Sequence, residues 1–139
     1  MKFLEGGEIM FSLNFKDDQP IYQQVVNQVA QKIVTGELKP DEELPSVRKL
    51  AETLVINPNT IVRAYYELEL MKIVEKRRGM GTFVTTCAPE VAKKISLDLL
   101  QGKIDELVQE AHRTSVSEEG LISRIRDRYD LVTSGKNIK

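Results

Sequence analysis

Apolar positions along the chain keep a helical period in one stretch, resume it twice in quick succession, give way to short β-prone runs, and return to a long helical period. From Ile21 to Val34 they fall at Ile21, Val25, Val26, Val29, Ile33 and Val34, the three-and-four spacing of an amphipathic helix, with Gly36 as its C-cap. A shorter helix starts at Pro45-Ser46, where the hydroxyl can accept from the free N–H groups of a first turn, and carries Val47, Leu50, Ala51 and Leu54. A third starts more sharply. Asn57 is a strong N-cap, Pro58 suits the first helical position because its missing N–H costs nothing there, and Ile61, Ala64, Tyr65 and Leu68 form the apolar stripe. Val55-Ile56 is left as the turn. Helices joined so tightly cross steeply, which leaves the opposite face of the third one, with Asn59, Thr60, Val62, Arg63 and Tyr66, free to enter a groove.

The β-prone runs Ile73-Val74 and Thr82-Phe83-Val84 flank Arg77, Arg78, Gly79, Met80 and Gly81, which predicts a small hairpin with a basic tip. Glycines at the tip permit positive φ and a close approach of backbone to a partner. The arginines bring charge toward phosphate or into a minor groove. A hairpin beside such a helix is a wing.

Beyond Pro89 the helical period returns for about 25 residues through Ala88, Val91, Ala92, Ile95, Leu99, Ile104, Leu107, Val108 and Ala111, interrupted only by Gly102. Thr114 to Ser117 breaks it. A further helix follows with Ser117 as cap, Glu118 and Glu119 in its first turn, and Leu121, Ile122, Ile125, Tyr129 and Val132 on one side. Two amphipathic helices alone cannot bury both stripes, and a bare stripe of this length invites aggregation. The expected remedy is a second copy of the chain, met through Val91, Ile95, Leu99, Ile104, Leu107, Val108, Leu121 and Ile125. The alternative is that these helices fold back on their own N-terminal domain and leave a monomer.

Composition narrows the function classes. At 139 residues with a 41% apolar fraction, the chain holds one compact domain and an appendage, too little for a large enzyme. The single Cys87 gives no disulfide framework, and with the lone His112 supplies neither metal-ligand spacing nor a nucleophile-base pair. No apolar run is long enough to span a bilayer, no secretory signal opens the chain, and no glycine-rich loop opens a helix to cradle phosphate. No cofactor, metal or membrane contact is expected, and the cytoplasm is the expected compartment. Net charge is −1, yet from Ser46 to Val84 seven basic residues stand against four acidic ones, a local excess of +3. One subunit with that excess holds a duplex weakly, and dimerisation would double it.

The stretch from about residue 19 to 86 resembles the N-terminal domain of the GntR family of bacterial transcription regulators. The resemblance rests on Pro20-Ile21-Tyr22, Gly36-Glu37-Leu38, Leu44-Pro45-Ser46, Arg48, Leu50-Ala51, Asn57-Pro58-Asn59-Thr60, Arg63-Ala64-Tyr65, Glu67-Leu68-Glu69 and Arg78-Gly79-Met80-Gly81-Thr82-Phe83-Val84, all in one order. The Asn-Pro-Asn-Thr turn and the short remainder are similar to the YtrA branch. Three positions depart from the family pattern. Asp41 and Lys72 stand where glycine is usual, which would reshape turns, and Val62 stands where several branches carry arginine. A valine there could touch a thymine methyl, so the operator is not expected to copy those of other branches.

The resemblance implies a cytoplasmic homodimeric repressor that binds double-stranded DNA at a palindromic operator, with targets that include its own operon and adjacent transporter genes. The DNA-binding residues it implies are Ser46, Arg48, Asn57, Asn59, Thr60, Val62, Arg63, Tyr66, Arg77, Arg78, Gly79 and Gly81. Arg63 is expected on DNA in preference to an intrahelical pair with Glu67, Asn57 chiefly as a cap, and Tyr65 in the core. A pocket for an unknown small-molecule effector would have to sit between subunits or be absent. Two other readings carry less. A winged helix can serve purely as a protein-interaction module, which salt dependence would separate from DNA binding. A fragment of a fused regulator-aminotransferase has no room for the enzyme.

The expected fold is thus mainly α with a small β-hairpin (α+β). Residues 1–11 are a lead-in, with Met10 either an alternative start or part of a frayed extension. Residues 12–86 form a winged helix-turn-helix domain, 87–133 a two-helix C-terminal dimerisation arm and 134–139 a frayed tail.

Overall fold

A computed structural model of the chain describes residues 11–135. Among them the order is α1 (Ile21–Val34), α2 (Val47–Leu54), α3 (Pro58–Leu70), β1 (Val74–Arg77), β2 (Gly81–Val84), α4 (Ala88–Arg113) and α5 (Glu118–Thr133). This is the expected mainly α fold with a small hairpin. The expectations for residues 1–10 and 136–139 lie outside the described residues. The chain divides into two compact units, one ending at Asp98 and the next beginning at Leu99.

In the first unit the predicted stripes are the core. Val25, Val26 and Val29 of α1, Leu50 of α2, and Ile61, Ala64 and Leu68 of α3 are fully shielded from solvent. Burying each such Val, Leu or Ile is worth about 1.5–3 kcal/mol, and α1 supplies enough of them to hold the α2–α3 pair against it. Ile73, Val74, Val84, Ala88 and Ala92 extend the core, with Val91 and Ile95 half-buried against it. The first turns of α4 therefore belong to the winged domain.

The lead-in ends sooner than expected, because Phe11 is 1% exposed and is a core residue. Two glutamines of α1 hold its segment like a makeshift strand. Ser12 N–H donates to Gln28 Oε1 at 2.7 Å, and Gln28 Nε2 donates back to Ser12 O at 2.6 Å. Gln24, itself buried, accepts from Asn14 N–H at 2.8 Å and donates to the carbonyls of Asn14 and Gln19, both at 2.9 Å. Every buried polar atom of that side chain is thereby paired, as burial requires.

The hairpin is antiparallel, with Val74 opposite Val84, Glu75 opposite Phe83, Lys76 opposite Thr82 and Arg77 opposite Gly81. Residues ahead of α2 line its free edge: Leu44 N–H donates to Thr82 O, Asp41 N–H to Val84 O and Val84 N–H to Glu42 O, at 2.8–2.9 Å. That pairing joins the wing to the helix pair.

In the second unit α4 runs through Gly102 without a break. Ser117 caps α5 as expected, its Oγ accepting from Gly120 N–H at 3.0 Å. None of the α5 side chains is buried.

Candidate nucleic-acid interface

The reading pair is shaped by its caps. Ser46 Oγ accepts from Lys49 N–H at 3.1 Å to open α2, and Asn57 Oδ1 accepts from Asn59 N–H at 2.8 Å to open α3. Between them Val55 takes the left-handed conformation, φ 56° and ψ 53°, which lets Ile56 N–H return to Ala51 O at 3.1 Å and reverses the chain. Tyr65 then locks the angle. Its hydroxyl donates to Pro45 O at 2.7 Å, tying the middle of α3 to the residue before the α2 cap. Burial pushes its phenol well above the ordinary range, because the phenolate would be stranded away from water.

With Ile61, Ala64, Tyr65 and Leu68 inward, α3 presents Asn59, Val62, Arg63 and Tyr66 outward, and Thr60 is half-buried at the rim. Val62 and Tyr66 are each more than half exposed on this face. Arg48, near the start of α2, leans on Glu52 at 3.4 Å, but both side chains are so exposed that the pair contributes little and opens readily. Arg63 makes no pair with Glu67 among the described residues. Its guanidinium lies 3.9 Å from the centroid of the Tyr22 ring and Nη2 donates to Tyr22 Oη at 3.2 Å. Sequence reasoning missed Tyr22, since the two residues are 41 positions apart and no local pattern connects them.

The wing differs from expectation in where its charge goes. Arg77 is the last residue of β1 and not part of the tip. Its Nη2 meets Asp41 Oδ1 at 2.7 Å, its Nε meets Glu75 Oε2 at 3.0 Å, and its guanidinium lies 4.4 Å from the Phe83 ring centroid. The hydrogen bonds to Asp41 and then Glu75 raise its already high pKa. So committed, Arg77 is a brace for the wing. Arg78, Gly79 and Met80 form the tip, closed by Met80 N–H donating to Arg77 O at 2.8 Å, and all three are exposed. Gly79 has φ +72°, with nothing within 4 Å of where a Cβ would stand. Gly81 opens β2, and its close neighbour is within the chain: a Cβ there would meet Glu43 Oε2 at 2.5 Å.

Asp41 and Lys72, the two departures from glycine, keep positive φ at 71° and 65°. The turns are therefore retained and the side chains are accommodated in them. At Asp41 the carboxylate is used to hold Arg77.

Of the residues expected between subunits, Ile104, Leu107, Val108 and Ile125 are exposed, whereas Leu99 and Leu121 are half-buried and Val91 and Ile95 pack on the winged-domain core. Leu97, Leu100, Ile122, Tyr129 and Val132 are exposed as well. Within the second unit an open groove of about 520 Å³ is lined by Leu107, Leu121, Ile125, Tyr129 and Val132, with Arg124 and Arg128.

A helix pair joined by a tight left-handed turn, with an exposed outer face and an anchored hairpin beside it, defines a winged helix-turn-helix DNA-binding domain. Residues 21–84 match the bacterial regulatory proteins, gntR family. The chain is 33% identical over 127 residues, 91% of its own length and 98% of the relative's, to the HTH-type transcriptional repressor YtrA of Bacillus subtilis. It is 41% identical over 96 residues to the HTH-type transcriptional regulator YhcF of the same organism, covering 67% of this chain and 79% of that one. A GntR family transcriptional regulator from Listeria monocytogenes superposes with a TM-score of 0.69 at 33% identity, over 81% of this chain and 98% of that structure. The chain belongs to the GntR family, and its relatives are transcription regulators, not enzymes. Among the described residues no helix is long and apolar enough to cross a membrane.

Proposed function

We propose that the protein is a cytoplasmic, homodimeric repressor that binds a palindromic operator, with α3 in the major groove and the wing tip at the minor groove of each half-site. The observation that carries this reading is the outward ridge Asn59–Val62–Arg63–Tyr66, bare of any covering element among the described residues and flanked by the exposed Arg78 tip. Asn59 and Arg63 offer hydrogen bonds to base edges, Val62 suits a thymine methyl, and Arg48, Tyr66 and Arg78 suit the backbone. Ser46, Asn57, Thr60, Gly79 and Gly81 shape the surface. Arg77 acts by holding the wing.

Dimerisation through the exposed stripes of α4 and α5 brings two ridges to one duplex and doubles the local positive charge. Kinship with a repressor named YtrA supports repression, and resemblance to that branch supports targets in its own operon and adjacent transporter genes. In vitro selection from random duplexes tests the reading. Recovery of an inverted repeat, bound in a steeply salt-dependent way, is the expected result. Recovery of no shared sequence at low salt would overturn it.

A further inference from the structure

We propose that Tyr22 is a positioning residue for DNA recognition, holding the Arg63 guanidinium in a fixed pose on the outer face of α3 before any duplex arrives. The inference rests on the reading of α3 as the DNA-contacting helix and goes beyond it by assigning a role to a residue of α1, a helix with no part in groove insertion.

A free arginine on a helix surface samples many rotamers, and a bidentate contact to a guanine edge needs one of them. Here the guanidinium is restrained twice. Its central carbon lies over the Tyr22 ring, 3.9 Å from the centroid, and Nη2 donates to the phenol oxygen at 3.2 Å. That uses one of five N–H groups and one face, leaving four donors for a nucleotide. No carboxylate pairs with Arg63 among the described residues, so its positive charge is not neutralised by the clamp. The clamp is itself anchored: Tyr22 sits at the start of α1, half-buried against the core beneath. Stacking of this kind at an exposed site favours one pose over the others without removing the donors that matter.

The same contact has an opposite reading, in which Tyr22 parks Arg63 away from DNA. The two differ in sign, and a double-mutant cycle on the duplex recovered by selection with the native protein decides between them. Binding is followed by fluorescence anisotropy, with thermal unfolding of each variant as the control for folding. Tyr22→Leu in the native background is expected to weaken binding by about two- to fivefold, the range for one exposed cation–π contact. Tyr22→Phe keeps the ring and is expected to recover most of that loss. In an Arg63→Ala background Tyr22→Leu should change nothing further, which a purely structural role for the tyrosine would not produce. Base-pair preference at the position read by Arg63 should flatten in Tyr22→Leu and in Arg63→Ala alike.

Tighter binding by Tyr22→Leu would overturn the inference in favour of parking, and an equal loss in both backgrounds would overturn it in favour of a structural role. If Arg63→Ala left affinity and preference unchanged, the assignment of Arg63 to DNA would fall first. If Arg63→Ala weakened binding while both Tyr22 variants bound like the native protein, the DNA reading would stand and the inference alone would fail.

Discussion

Val55 holds a left-handed backbone although its side chain branches at Cβ, a combination that strains nearly every such residue. It is 82% exposed, so no packing repays the strain. Replacing it with asparagine, which tolerates this conformation, should stabilise the domain by about 1 kcal/mol, the lower end of the left-handed penalty. For a domain of this size that is a rise of about 4–8 °C in Tm, checked by a thermal scan. Tyr65 makes a different demand. Burial raises its pKa in the folded chain above the unfolded value near 10, so the folded state keeps a proton that the unfolded state releases in alkali. The stability this confers is complete below about pH 10 and is lost as pH climbs beyond it, by about 1.4 kcal/mol per pH unit. Denaturant titrations on either side of that pH should show the slope in the native protein and lose the part due to this group in Tyr65→Phe. At neutral pH that variant should be about 1 kcal/mol less stable, because Pro45 O loses its donor.

The two arginines of the wing are neighbours in sequence with separate duties. Arg77→Ala removes a bridge to Asp41 and Glu75 and a stack on Phe83, so the amides of β1 and β2 should exchange with solvent faster. Arg78→Ala should leave exchange alone and lower the slope of log affinity against log salt by about one per subunit, the signature of a lost phosphate contact. Equal exchange in the two variants would argue against a bracing role for Arg77. All five helices were legible in the sequence, because each carries its own period and three have distinct caps at Ser46, Asn57 and Ser117. What escaped was tertiary. Tyr22 under Arg63, Asp41 beside Arg77, Glu43 against Gly81 and the glutamine clamps on residues 12–14 join distant positions whose residue types announce nothing. Phe11 escaped because its extended neighbours show too short a pattern to separate from a lead-in.

At the scale of the molecule, the apolar side chains Ile104, Leu107, Val108, Ile125, Tyr129 and Val132 of the second unit are exposed. Leu107→Asp combined with Ile125→Asp places two charges on the proposed dimer face and should give monomers by light scattering, with operator affinity much reduced. A dimer that persists would move the interface elsewhere. Since α5 fully buries none of its side chains among the described residues, and only Leu121 and Leu131 are half-buried, it has few of the contacts that ordinarily keep a helix folded. Its helicity should therefore fall on dilution, a change visible by circular dichroism. Repression would then depend on roughly the square of the number of copies in the cell. Halving the stock of the protein would then leave about a quarter of the dimers, a graded loss of operator occupancy set by mass action.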